Sequence, residues 1–250
     1  MNINNFAIII PSKDELDNLY NIIPKIRKLY KNKILIIDKS SEEEFNKINE
    51  FIKNYENIVL FKQVSSGKGN ALREAVKLCN EDLIIFFDAD GSHNPNDIPL
   101  LLKPFSINKN IDHVGGSRML GGSDELYSDL QHYFRLFGSL VINYFINMKF
   151  NVDITDYQNG FRAIKNNVFS KLETTSIHTS IEQEMVAKTL SKGFNYTEMP
   201  THEWKRRSGY SKIKLSKHSI DYIISLIKIL FYKKENSLIK ISRFYSNWYD

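Results

Sequence analysis

The sequence predicts an α/β protein built on a parallel sheet with helices on both faces. Three observations carry this. Short, unbroken apolar runs recur along the first third of the chain, long enough for buried strands and too short for core helices. The segments between them have helical spacing, giving a β-α-β-α-β-α-β alternation. Pro11, Asp38 and Asp88 fall at the carboxyl ends of the runs, where such sheets bind ligands.

In chain order, Phe6-Ala7-Ile8-Ile9-Ile10 reads as a strand closed by Pro11, and Asp14-Glu15 leads into a helix over Leu16 to Tyr30. Lys33 to Ile37 is a second strand ending at Asp38. Ser41 to Tyr55 is helical through Phe45, Ile48 and Ile52, and Ile58-Val59-Leu60-Phe61 is a third strand. Gly67-Lys68-Gly69-Asn70 opens a helix through Ala71, Ala75 and Leu78. Leu83 to Phe87 is the fourth strand and runs straight into Asp88-Ala89-Asp90-Gly91-Ser92-His93. Beyond it lie an apolar helix from Ile98, a strand end at Val114 to Arg118, and a long apolar and aromatic segment from Leu126 to Met148. Asp156 to Ala163 is a turn into a strand, Ile181 to Lys192 a helix, and Phe194 to Met199 a last strand.

The 250-residue chain is 42% hydrophobic and 25% charged, an ordinary globular balance that argues against disorder. Its one cysteine, Cys79, cannot pair internally and fits a reducing compartment. The first residues have no basic signal-peptide region, and no run reaches the length of a membrane span, so a cytoplasmic location is expected. A net charge of +5 admits nucleic acid, anionic lipid or phosphorylated ligands.

Asp88 and Asp90, one residue apart at the end of a buried strand, place two hard oxygen ligands at the sheet rim, suited to Mg²⁺ or Mn²⁺ with substrate phosphates. On these residues alone, a polar turn serves equally well. No G-x-G-x-x-G follows the first strand and no G-x-x-x-x-G-K-[ST] occurs, which argues against a dinucleotide site of that kind and against a P-loop. Arg118 can offer a planar fork to phosphate, and Arg135 and Ser139 share a helix face. Lys205 to Lys212 is the most basic run, readable as a loop closing over phosphates or as a solvated charge run. Ile220 to Tyr232 is an apolar stretch flanked by lysines. It suits a helix lying in a membrane surface, or one packing on the domain or on a second subunit.

Eight motifs in order carry a resemblance over residues 6 to 215: Ile9 to Glu15, Ile37 to Ser41, Gly67 to Ala71, Asp88 to His93, Gly116 to Arg118, Asn159 to Ala163, Glu182 to Met185 and Arg207 to Lys212. The chain resembles the inverting family 2 glycosyltransferases of the GT-A fold, most of all the dolichyl- or polyprenyl-phosphate mannose synthases. The resemblance implies a Rossmann-like, mostly parallel sheet flanked by helices. A transferase domain is expected over residues 1–213, and an amphipathic C-terminal appendage over 214–250. It also implies that Pro11, Lys13, Glu15, Asp38, Lys68 and Ala89 line the nucleotide pocket, with Asp88, Asp90 and Ser92 on Mg²⁺ or Mn²⁺. Arg118, Arg135 and Ser139 face the acceptor phosphate, and Arg207 and Lys212 close over the diphosphate. Lys13, Lys39 and Asn159 depart from the family's usual aromatic, Asp and Ser, which leaves GDP- or UDP-hexose open as donor.

The attacking group divides the readings. A glycan hydroxyl needs a general base, Glu184 or Asp156, whereas a lipid phosphate is already anionic and needs cations instead. The expectation is inverting transfer of mannose or glucose to a polyprenyl phosphate by a protein peripheral on the cytosolic face of a membrane, as a homo-oligomer or with a membrane partner protein. The alternatives are transfer to a glycan hydroxyl in surface polysaccharide assembly, and a non-catalytic anion-binding module. Nucleic acid is not expected, because the rim carboxylates repel its phosphates.

Overall fold

The protein is described by a computed structural model over residues 1–125, 130–206 and 215–233. Seven strands form one sheet in the order β3-β2-β1-β4-β6-β5-β7. The first half follows the alternation read from the sequence: β1 (Phe6–Ser12), α1 (Leu16–Leu29), β2 (Lys33–Asp38), α2 (Glu42–Ile52), β3 (Ile58–Lys62), α3 (Lys68–Val76) and β4 (Leu83–Phe86). These four strands are all parallel, with Ile9 opposite both Leu35 and Phe86.

The second half departs from that alternation. It holds α4 (Ile98–Ile107), β5 (Ile111–Ser117), the single turn α5 (Arg118–Gly121), the long α6 (Leu130–Phe150), β6 (Arg162–Lys165), α7 (Asn166–Leu172), α8 (Ile181–Ser191), β7 (Asn195–Pro200) and α9 (Leu215–Leu230). β6 is inserted between β4 and β5 and runs antiparallel to both, with Phe86 and Gly115 opposite Arg162. The start of β6 therefore lies beside the end of β4.

Alternate residues of the buried strands feed two apolar layers. Ile8, Ile10, Ile34, Ile36 and Ile85 pack under α1, α2 and α4. Ala7, Ile9, Leu35, Ile84 and Phe86 pack against α3, α7 and the start of α8. A third cluster stands beyond the sheet, where Ile142, Ile146 and Phe150 of α6 meet Val186 and Leu190 of α8 and Ile229 of α9. The apolar C-terminal stretch thus packs on the domain with one face only. Its other face, Ile220, Ile223, Ile224, Ile227 and Phe231, is exposed, as are Phe134, Phe137, Leu140, Tyr144 and Met148 of α6. No helix among the described residues is long and apolar enough to cross a membrane.

Candidate active site

Asp88 and Asp90 follow β4 on a turn that Gly91 permits with φ +79°. Ala89 between them points into the core, which turns both carboxylates to the rim. Each carboxylate meets a cation. The Asp88 carboxylate lies 2.6 Å from Lys68 Nζ, at the start of α3, and 3.4 Å from His93 Nε2. Lys68 also reaches Glu182 at 2.5 Å. Burial opposes charge on Asp88, but Lys68 and His93 hold its carboxyl well below the usual carboxylate range. Burial would likewise depress the Lys68 ammonium, yet Asp88 and Glu182 together raise it above its ordinary value. Glu182 is pushed up by its own burial, which Lys68 only partly offsets.

Asp90 accepts from the Ser92 backbone N–H (3.0 Å) and hydroxyl (2.6 Å) on one oxygen, and from Arg206 (2.8 Å) on the other. The same guanidinium reaches Glu15 at 3.2 Å. Arg206 comes from the segment after β7, which is held across the turn by the Trp204 N–H bond to the Ser92 carbonyl (2.8 Å).

Gly160, just before β6, lets these groups meet. A Cβ there would collide with the Asp88 carboxylate and stand 2.9 Å from Lys68 Nζ. The loop is braced from beneath by the fully buried Arg162, which donates to the Glu182 carbonyl (2.8 Å) and to that of Asn159. The arginine of the Asn-Gly-Phe-Arg motif is thus a structural brace, while its glycine makes room.

These groups floor a cleft of about 480 Å³. Arg118 forms one wall, and Arg135 and Ser139, one turn apart on α6, form another. Phe134, Phe137 and Val141 of α6, with Tyr222, Ile223 and Leu226 of α9, supply its apolar lining. Arg118 is anchored from behind: Nε and Nη2 donate to the two Asp156 oxygens at 2.7 and 3.0 Å, and Nη1 to Glu203 at 3.2 Å.

Of the residues expected at the site, the structure brings Lys68, Asp88, Asp90, Ser92, Arg118, Arg135 and Ser139 into this one cleft. Pro11, Lys13, Glu15 and Asp38 stand together at the ends of β1 and β2, outside the cleft lining, with Glu15 joined to it by Arg206. Asp38 is fully buried and accepts from the Ser40 N–H and hydroxyl at 2.9 and 2.8 Å, so its carboxylate closes its own turn. Arg207 and Lys212 lie outside the described residues.

Glu184 is a correction. It faces away from the cleft and accepts from the backbone N–H groups of Thr175 and Ser176 at 2.9 and 2.7 Å. Burial would raise its carboxyl, but those donors and Lys188 hold it below the ordinary glutamate value, the opposite of a tuned base. Asp156, the other candidate base, is spent on Arg118. Five acidic or basic cleft residues were given no role of their own by the sequence reading: His93, Glu125, Glu182, Glu203 and Arg206. Arg206 was visible only as one of three adjacent cations, and the partners of Glu182 and Glu203 lie 114 and 85 residues away in sequence.

A model of glycosyl transferase family 2 matches residues 7–173. The chain belongs to that family. Among solved structures it is similar to glucosyl-3-phosphoglycerate synthase from Mycobacterium tuberculosis, crystallised with Mn²⁺, UDP and glucosyl-3-phosphoglycerate (TM-score 0.70, 14% identity, covering 90% of this chain and 80% of that one). It is also similar to the mannosyltransferase PcManGT from Pyrobaculum calidifontis with GDP-Man and Mn²⁺ (TM-score 0.62, 13% identity, 90% and 64%). These likenesses establish the GT-A fold. Among sequences, the chain is 26% identical over 204 residues to the glycosyltransferase AglJ of Haloferax volcanii, covering 81% of this chain and 64% of that protein. It is 25% identical over 244 residues to the dolichol-phosphate mannosyltransferase of Pyrococcus furiosus, covering 95% and 66%. The chain therefore spans about two thirds of the length of these two relatives.

Proposed function

We propose that this family 2 glycosyltransferase moves a hexose from a nucleotide-diphosphate sugar to a polyprenyl phosphate, in one displacement with inversion, at a membrane surface. The observation that carries the reading is the composition of the cleft. Carboxylates lie at its floor, with Arg118, Arg135, Ser139 and apolar α6 and α9 side chains completing its lining. A phosphate with a hydrocarbon tail matches that lining, and a glycan does not. Relatives named as a dolichol-phosphate mannosyltransferase and as a dolichyl-phosphate N-acetylglucosaminyltransferase, the latter from Methanococcus voltae, support it.

The donor set fits a divalent metal. Asp88 and Asp90 offer hard oxygens with the Ser92 hydroxyl beside them, and Mg²⁺ or Mn²⁺ commonly binds through one or two carboxylates and completes its shell with diphosphate and water. When bound there, such an ion supplies Lewis-acid stabilisation of the departing diphosphate. The rest falls to the chain itself. Arg206 can exchange Asp90 for a phosphate oxygen, and Arg207 and Lys212 follow it in sequence. Arg118, Arg135 and Ser139 hold the acceptor phosphate in line, and because that phosphate is already anionic no side chain has to remove a proton. The two carboxylates that a hydroxyl acceptor would call on, Glu184 and Asp156, are engaged elsewhere.

The outward apolar face of α6 and α9, with Lys228 and Lys233 exposed at its end, suits a peripheral position on an anionic cytosolic leaflet. The 1–213 and 214–250 division stands as a proposal in which the second part also supplies a cleft wall through Tyr222, Ile223 and Leu226. Incubation with radiolabelled GDP- and UDP-hexoses, Mn²⁺ and membranes tests the reading. Label that enters organic solvent and is released by mild acid supports it, whereas label retained on water-soluble glycan overturns it.

A further inference from the structure

Behind the acceptor wall lies a polar assembly that reaches the cleft through Arg118. Residues 154–156, in the loop between α6 and β6, are bonded from three directions. From α6, the Asn143 amide donates to the Thr155 carbonyl at 2.7 Å, and Asn147 closes a pair of bonds with Ile154 at 2.8 and 3.0 Å. From the end of β5, the Ser117 and Thr155 hydroxyls lie 2.6 Å apart, and Arg118 takes both oxygens of Asp156. From beneath, Glu198 of β7 closes the assembly. One of its oxygens accepts from the Thr155 N–H (2.8 Å) and hydroxyl (3.0 Å), the other from the Asp156 N–H (2.8 Å).

We propose that Glu198 is a positioning residue for the acceptor-phosphate site, acting through Thr155 and Asp156 to fix Arg118, and through Thr155 to hold α6 at Asn143, one turn from Ser139. This rests on the reading of the cleft given above. The geometry calls for two carboxyl oxygens. Two consecutive backbone N–H donors and the Thr155 hydroxyl converge on them, each oxygen accepting at least one bond. A glutamine side chain in its place would present an N–H of its own to one of those donors. Glu198 is 8% exposed, and burial raises its carboxyl to about 7, with the Asp156 charge adding to the rise. An ionised group there is a cost to stability, which fits a part kept for geometry.

The test compares wild type with Glu198→Gln. Farnesyl phosphate is titrated as the acceptor probe, and UDP and GDP with Mn²⁺ as donor probes. The position of Arg118 is read independently from its Nε–Hε resonance by NMR. We expect farnesyl phosphate affinity to fall about tenfold, as for one buried donor left unsatisfied. Nucleotide affinity should stay within about twofold on the same scale, and the Arg118 resonance should move or broaden. Thr189→Val, which removes the His113–Thr189 bond elsewhere in this half of the molecule, controls for general loosening. If it loses the same affinity per degree of Tm, Glu198 is merely structural and the proposal falls. An unmoved Arg118 resonance with unchanged affinity also overturns it. If Glu198→Gln does not fold, Thr155→Val, which deletes only the hydroxyl contacts, must shift affinity and resonance in the same direction. Should wild type fail to bind farnesyl phosphate, the functional reading fails, and the Arg118 resonance still decides whether Glu198 positions it.

Discussion

Along the ends of β1 to β4, charge is matched by charge. Lys68 stands between Asp88 and Glu182, and Arg206 between Asp90 and Glu15, all at hydrogen-bonding distance. Across the cleft, α6 and α9 turn large apolar side chains outward, with Phe137 67% and Phe231 82% exposed. The first region sets four carboxylates against two cations, which in the function proposed above suits a diphosphate that arrives with a divalent metal. The second is arranged for something that has no wish to be in water, since monomeric soluble proteins rarely leave so large an apolar face open. One cleft is lined by residues of both regions, and the acceptor proposed above, with a charged head and a hydrocarbon tail, would use both.

The comparison breaks most sharply at Asp90. Asp90→Ala should lower transfer by at least about 10²-fold, the scale of losing one electrostatic stabiliser of a transition state. Removing metal with a chelator should do the same to wild type. Wild-type turnover of the variant with metal present sinks the metal role. Next comes the joint between the two regions. Arg118→Lys cannot keep both bonds to Asp156, so the acceptor KM should rise about tenfold or more while the donor KM holds. A rise in both would mean that Arg118 serves the donor.

Gly160→Ala sharpens the ionic side. Its methyl group meets Asp88 and Lys68, so Tm should fall by an amount matching about 1–3 kcal/mol, together with transfer activity. An unchanged Tm would show that the carboxylate has room to move. On the apolar side, Phe137→Ser with Phe231→Ser should leave stability within about 0.5 kcal/mol, because both rings are exposed. Binding to vesicles of anionic phospholipid, measured by sedimentation, should fall several-fold, and unaltered vesicle binding removes the membrane from the account.

The last effect is in pH. Burial raises the Glu198 carboxyl to about 7 from an ordinary 4.5, so the folded chain holds that proton more tightly. Its contribution to stability is complete below pH 4.5 and is lost as pH rises through about 7. His113 runs the other way. Burial, aided by the Arg162 charge, holds its imidazole far below 6.5, so its contribution is present above pH 6.5 and is lost as pH falls. The Tm advantage of wild type over Glu198→Gln should therefore shrink from about pH 5 to about pH 8, and a constant difference contradicts the raised carboxyl.

The parallel half of the fold was legible because strands buried on both faces must be apolar throughout, as Phe6 to Ile10 and Leu83 to Phe87 are. β6 was harder. Its four residues begin with Arg162 and end with Lys165, and only the structure reveals that Arg162 is buried for the sake of the Asn159 and Glu182 carbonyls. Its reversed direction leaves no periodic trace, and α7 was not foreseen. At the site, the motif residues that meet solvent at strand ends could be listed in advance. Their ion partners could not, because pairs such as Lys68 with Glu182 form only when distant segments meet. Glu184 misled for the same reason: it belongs to an acidic motif, but the helix turns it onto the 175–176 backbone. Glu198 gave no signal at all, being one polar residue in an ordinary strand.

The reversal of β6 sets how this rim can change over evolutionary time. Most of its loops lie downstream of their strands, so an insertion after β4 or β5 lengthens a loop and leaves the sheet in register. The loop holding Gln158 to Phe161 lies upstream of the strand it feeds. A residue added there is absorbed either as a bulge against Asp88 or as a slip of β6, and a slip of one position would swing Arg162 to the opposite face of the sheet. Chain polarity thus divides the rim into a part open to insertion and deletion and a part closed to both, and Gly160 sits in the second.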